Sequence, residues 1–320
     1  MVDRNNRPSA LKATDAAGPE AQVDIEGTGS SSKVIARLPS GESVEVLLFG
    51  ATVTSWKSNG GTTENLWLSE KAALDGSKAV RGGIPVVFPV FGPPPKSGHV
   101  TSSLPQHGFA RTSRWEFLGK SAAEDAAGSN SVKLDFGLSS SELTEEARKA
   151  WPLDFALVYS VTLSKESLMT VVNVRNEGQQ SFEFQFLLHT YLRIQDISKV
   201  AINGLLGVAY TDKVLNATEH KQSDSSVKIT GEVDRVYASI PQDTTSVVED
   251  GKPRFDVVRD NLKDTVVWNP WIEKAKAMGD FAPDEDYKHM VCVEVGAVNG
   301  WQTLDKGDVF EGGQTIKSLL

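Results

Sequence analysis

The sequence predicts an all-β protein, a large antiparallel β-sandwich carrying a few short helices. Three observations point there. Apolar residues recur with period two rather than 3.6, in short runs separated by turn-forming residues. Helical patterns are confined to two short segments, and no internal repeat or charge block divides the chain. At 320 residues with 39% hydrophobic side chains the chain can bury a sizeable core, which excludes disorder as its dominant state. All-β folds commonly exceed average domain length, so residues 23–320 are expected to form one domain. Residues 1–22, rich in Ala, Pro and charge and without periodicity, are expected to be a mobile or extended arm.

Residues 43–49 (Ser-Val-Glu-Val-Leu-Leu-Phe), 131–136 and 157–163 are β-type runs. Residues 155–174 predict a hairpin around the polar turn Ser164-Lys165-Glu166-Ser167. Thr144 caps a short helix with Glu145 and Glu146 in its first turn and Pro152 as its stop. A second helix follows Asn269 as cap, with Pro270 at its first position and Gly279 at its end. The Pro/Gly/Ser-rich stretch 92–105 lies between apolar runs of one core, which predicts a functional loop at the sandwich rim.

A net charge of −9 argues against a broad footprint for nucleic acid or anionic lipid. The single Cys292 excludes an intramolecular disulfide and a Cys-rich zinc cluster, and fits a reducing compartment. The N-terminus lacks the apolar region of a secretory signal, and no window approaches the ~18 apolar residues of a membrane span. A soluble, cytoplasmic protein acting as a monomer is expected, with no nucleic-acid or membrane partner. Without a secretory signal, Asn216-Ala217-Thr218 reads as a polar surface loop rather than a glycosylation site. No Walker A pattern, His-Glu-x-x-His helix or Gly-x-Ser-x-Gly elbow occurs, and Gly27-Thr28-Gly29 lacks the third glycine of a dinucleotide loop. No metal or cofactor is called for, and Cys292, within Val-Cys-Val, reads as a small buried hydrophobe.

Three segments carry candidate chemistry. In residues 182–191, strand alternation puts Phe182, Phe184, Phe186 and Leu188 on one face, and Glu183, Gln185 and His189 on the other. That pattern suits a sheet with one side on the core and the other lining a groove, although a structural histidine fits it equally. In residues 289–298, Val291, Val293 and Val295 share one face while Glu294 points the other way with Cys292. A carboxylate buried there would titrate high and could pair with a histidine as base and acid. The alternative is an edge strand with Glu294 in water. In Arg81-Gly82-Gly83-Ile84-Pro85 and Gln106-His107-Gly108-Phe109-Ala110-Arg111, two arginines stand beside Gly-containing turns. They could bring two forked donors to one anion, with the glycines permitting close backbone approach. Ordinary turn glycines and surface arginines are the alternative.

Taken in order with Leu188-His189-Thr190-Tyr191, Asp234-Arg235-Val236-Tyr237, Val267-Trp268-Asn269-Pro270-Trp271 and Val293-Glu294, these motifs resemble the aldose 1-epimerase, or galactose mutarotase-like, superfamily. The resemblance is closest to its glucose-6-phosphate 1-epimerase (hexose-6-phosphate mutarotase) branch. It implies a β-supersandwich that interconverts the α and β anomers of a hexose 6-phosphate, glucose 6-phosphate foremost, without a cofactor. It further implies His189 as general acid to the ring oxygen and Glu294 as general base to the anomeric hydroxyl. Asp234, Arg81, Gln106 and Arg111 become substrate contacts, with the two arginines holding the phosphate; His107 is expected near the sugar, outside these direct contacts. A free-aldose 1-epimerase and a non-catalytic sugar-phosphate-binding sandwich are the alternatives. Residues 1–22, 121–131 and 216–226 match no motif of the family.

Overall fold

The computed structural model describes residues 20–121 and 131–319. The expected arm and the insertion at 121–131 fall, apart from their ends, outside the described residues. Gln22 already opens a strand, pairing with Arg37.

Three antiparallel sheets make up the described chain. Residues 22–64 form a five-stranded sheet of consecutive neighbours. A nine-stranded sheet runs, in spatial order, through Ser226–Lys228, Val200–Asn203, Thr244–Glu249, Lys252–Asp260, Val309–Ser318, Ser167–Asn176, Phe155–Leu163, Val132–Ser139 and Glu116–Ser121. The eight-stranded sheet begins with Thr218–Lys221, Ala209–Asp212, Val233–Tyr237 and Asp264–Asn269. It continues through Met290–Leu304, Phe182–Leu188 and Val86–Val87, and Tyr191–Arg193 pairs beside Met290–Leu304. The expected all-β class holds, and among the described residues no helix is long and apolar enough to cross a membrane.

Alternation along the strands assembles the core. Phe182, Phe184, Phe186 and Leu188 join Val291, Val293 and Val295 in one continuous cluster running from Val34 to Ile316. Phe88 anchors an aromatic knot there, its ring centroid 5.5 Å from that of Phe155 and 5.6 Å from that of Phe184. Each such fully buried side chain contributes roughly 1.5–3 kcal/mol through removal from water. The opposite face of the eight-stranded sheet carries a separate cluster containing Trp67, Leu187, Tyr191, Val266, Trp268 and Cys292. One sheet therefore supplies the inner core and the floor of a cleft.

The hairpin forms as expected over Phe155–Leu163 and Ser167–Asn176, closed by Ser164 N–H donating to Ser167 O. Helix Glu145–Ala150 starts at Thr144, whose hydroxyl accepts from Ala147 N–H. The second helix is shorter than expected. It spans Trp271–Ala277, with Pro270 preceding it and the chain leaving the helix at Met278 rather than Gly279. Asn269 is buried and tied elsewhere, its amide nitrogen donating to Tyr287 O and Met290 O and its oxygen accepting from Trp271 N–H.

Candidate active site

Strand Met290–Leu304 lies between Asp264–Asn269 and Phe182–Leu188, so Glu294 sits in the middle of the sheet, cross-paired with Val266 and 1% exposed. The edge-strand alternative is thereby excluded. His189 follows directly on strand Phe182–Leu188, where its N–H donates to Pro85 O and the Tyr191 N–H donates to Gly83 O. These bonds fix the turn that carries the imidazole out of the sheet and over the cleft floor. His189 Nδ1 stands 3.3 Å from Glu294 Oε1. That is ion-pair distance without hydrogen-bond alignment, because Nδ1 and Glu294 Oε2 are both buried and unpartnered among the described residues. Tyr191 stacks its ring on the imidazole at 4.6 Å and 9°, and Trp268 meets it edge-on at 6.2 Å.

Burial dominates the electrostatics. It pushes the Glu294 carboxyl well up, with Asp234 adding to the rise and Lys213 opposing it. It pulls the His189 imidazole well down, helped by His107, Arg81 and Arg111. Both shifts act toward the neutral forms, and passage of one proton from the carboxyl to the imidazole converts the neutral pair into the ion pair. Burial likewise lowers His107 to about 3. Its Nδ1 accepts from Gly92 N–H at 3.2 Å, which leaves the ring proton of the neutral tautomer on Nε2.

The cleft above this pair has a volume of about 350 Å³ and is lined by Arg81, Gln106, His107, His189, Asp234 and Glu294 together with Phe91, Trp268, Lys213 and Lys274. Its size falls in the range typical of small-molecule sites. Five of the six residues expected at the site thus meet in one hollow. Arg111 does not line it. Arg111 is held behind, Nη2 donating to Gln106 O at 2.9 Å and Nε buried without a partner, and burial lowers its pKa. Arg81 lines the cleft with its fork already engaged. Nε and Nη2 contact the two carboxylate oxygens of Asp280 at 3.2 and 3.3 Å, and Nη1 donates to Tyr191 Oη at 3.2 Å.

The glycines beside these arginines serve the scaffold rather than an anion. Gly83 (φ 67°) would place a Cβ 2.1 Å from Val53 O, and Gly108 (φ 68°) would place one 2.1 Å from Phe88 O. Both positions bring backbone against backbone and orient the flanking residues. The expectation that they admit a ligand's close approach is corrected accordingly.

The rim loop also behaves in part as expected. Phe91, Gly92 and Pro93 line the cleft at one end of the stretch, and Gln106 and His107 at the other. Gln185 and Glu183, on the same strand face as His189, clamp this loop instead of facing the hollow. Gln185 accepts from Phe91 N–H and donates to Val298 O, while Glu183 meets His99 at 3.2 Å. Lys213 and Lys274 escaped the sequence analysis. Lys213 Nζ lies 3.9 Å from Asp234 and 4.0 Å over the Phe91 ring, and Lys274 Nζ donates to Glu232 at 2.8 Å. Only the pairing of Asp212 with Arg235, which sets Lys213 beside Asp234, brings the first of them here. No local motif marks either lysine.

Residues 34–317 match the family model for aldose 1-epimerase. The chain belongs to the aldose 1-epimerase family. Within that family it is 35% identical over 283 residues to a protein of Cenchrus ciliaris provisionally named glucose-6-phosphate 1-epimerase, covering 88% of this chain and 82% of that one. An Escherichia coli K12 protein bearing the same provisional name is 36% identical over 271 residues, 84% of this chain and 85% of its own. Among solved structures, one from Salmonella typhimurium, provisionally described as a mutarotase, superposes with a TM-score of 0.79 at 30% identity and 92% coverage of each chain. The three-sheet architecture is thus the family's fold.

Proposed function

We propose that this aldose 1-epimerase family member interconverts the α and β anomers of a hexose 6-phosphate, with glucose 6-phosphate as its substrate. The observation that carries the proposal is the 3.3 Å approach of the His189 imidazole to the Glu294 carboxyl on the floor of a sugar-sized cleft. The ring oxygen and the anomeric hydroxyl share one carbon, so their acid and base must stand side by side.

Glu294 takes the proton of the anomeric hydroxyl while His189 delivers one to the ring oxygen, and the bond between the anomeric carbon and that oxygen breaks. The open aldehyde turns about the bond between its first two carbons. Closure on the other face reverses both transfers and restores the pair. The working form, imidazolium with carboxylate, contains the same proton as the resting neutral pair, moved from Glu294 to His189. Arg81 and Arg111 help to hold His189 neutral. A phosphate dianion arriving beside them offsets their charge and favours the imidazolium, so substrate entry itself arms the acid. Arg81, Lys213 and Lys274 on the cleft wall are the phosphate's partners, with Arg111 behind; Asp234 and Gln106 face the sugar hydroxyls.

The engagement of the Arg81 fork by Asp280 favours the alternative of a free aldose, since the guanidinium charge is already met. Exchange NMR on glucose 6-phosphate and glucose separates the two. One charge-assisted contact contributes about 1.5–3 kcal/mol, so the phosphorylated sugar is expected to exchange at least about tenfold more efficiently. Equal efficiencies would refute the phosphate assignment, and no enzyme-dependent exchange of either sugar would refute the activity.

A further inference from the structure

Beneath the acid–base pair lies a third donor that the proposed mechanism leaves idle. Cys292 is on the same face of strand Met290–Leu304 as Glu294, two residues earlier, and is fully buried. A ring nitrogen of His189, Sγ of Cys292 and a carboxylate oxygen of Glu294 all lie within 4.8 Å of one another. Two of these residues keep buried atoms without a hydrogen-bond partner among the described residues, His189 Nδ1 and Glu294 Oε2.

Imidazole, thiolate and carboxylate form a borderline-soft donor set of the kind that selects zinc over magnesium or calcium, which prefer oxygen ligands. Three protein ligands with one position left open is a common tetrahedral zinc arrangement. With bonds of about 2.0–2.3 Å, tetrahedral ligand atoms stand about 3.3–3.8 Å apart. For one ion to bridge them, the three donors must therefore draw together by up to about 1–1.5 Å from their present spacing of within 4.8 Å. The His189 and Glu294 side chains border the cleft, which gives the ion its entry path and its open fourth position.

We propose that His189, Cys292 and Glu294 capture one zinc ion on the cleft floor, and that this capture reversibly switches off anomer exchange. The thiol proton passes to solvent as the sulfur–metal bond forms, and the ion occupies both groups that must move protons. Capture rests on the donor atoms alone; only the switching depends on the proposed mutarotase activity.

Cobalt is the probe, because a cobalt–thiolate bond gives an intense near-ultraviolet charge-transfer band and Cys292 is the chain's sole cysteine. The intact chain is expected to bind one cobalt ion with that band and to lose the band as zinc displaces it. Exchange of glucose 6-phosphate anomers should fall with zinc and recover with a chelator. Cys292→Ala and Cys292→Ser are expected to keep basal exchange, lose the band and need at least about tenfold more zinc for the same inhibition. No thiolate band in the wild-type chain overturns the site. Zinc inhibition equal in wild type and both variants overturns the role of Cys292. A chain that shows the band without anomer exchange keeps the site and overturns the switching, which separates this failure from that of the activity itself.

Discussion

Replacing Glu294 by Gln keeps the side chain's size and removes its ability to take a proton. Among the described residues no other carboxylate substitutes, because only Glu294 pairs with His189, at 3.3 Å, and Asp234 stands on the strand beyond Asp264–Asn269. General acid–base catalysis is worth about 10²–10⁴ in rate, or about 2.7–5.5 kcal/mol of barrier. The variant is expected to lose about 10³ in the NMR exchange rate while a titration still detects ligand binding. The same substitution has a stability signature of opposite sign. Burial raises the Glu294 carboxyl, so the native state holds a proton that the unfolded chain releases above about pH 4.3. Wild-type stability therefore loses about 1.4 kcal/mol per pH unit from this group, between its unfolded and native values. Glu294→Gln lacks that loss, and its advantage grows with pH at that rate across the window. The lowered His189 contributes the reverse slope below about pH 6.5 in both proteins and cancels in the difference to first order. Denaturant melts across the pH range measure it. Retention of more than roughly a tenth of the exchange rate would remove Glu294 from proton transfer. A stability difference that stays flat from about pH 5 to 7 would mean that the carboxylate is ionised in the fold.

Lys213→Met should weaken kcat/KM for glucose 6-phosphate by about tenfold, the lower end for a charge-assisted contact because Lys213 is one-third exposed; glucose itself should change little, and an equal loss on both sugars would make the lysine structural. Tyr191→Phe keeps the ring stacked on His189 and removes the hydroxyl that accepts from Arg81. Its expected effect is a KM increase of about five- to tenfold for the phosphorylated sugar with kcat nearly unchanged, read by steady-state coupled assays. Phe184→Ala empties a fully buried position against Phe88 and Phe310 and should destabilise the fold by about 3–5 kcal/mol in urea melts, leaving the activity of the folded fraction intact.

Strand periodicity was legible without coordinates, because alternation of side chains is a local property of extended backbone. It placed Phe182, Phe184, Phe186 and Leu188 on the core side, and it sent His189 and Glu294 the other way. The same alternation could not say that Gln185 and Glu183 would be taken up in clamping the rim loop while His189 turned into the hollow. That outcome depends on loops that return from elsewhere in the chain. Nor could a motif reveal that Asp280 meets Arg81 from 199 residues away, or that Lys213 and Lys274 supply further positive charge. Charge compensation and cleft lining are set by which strands become neighbours in the eight-stranded sheet and by the helix packed over it. A residue's own neighbours in sequence encode its strand face; the tertiary fold decides what it meets there.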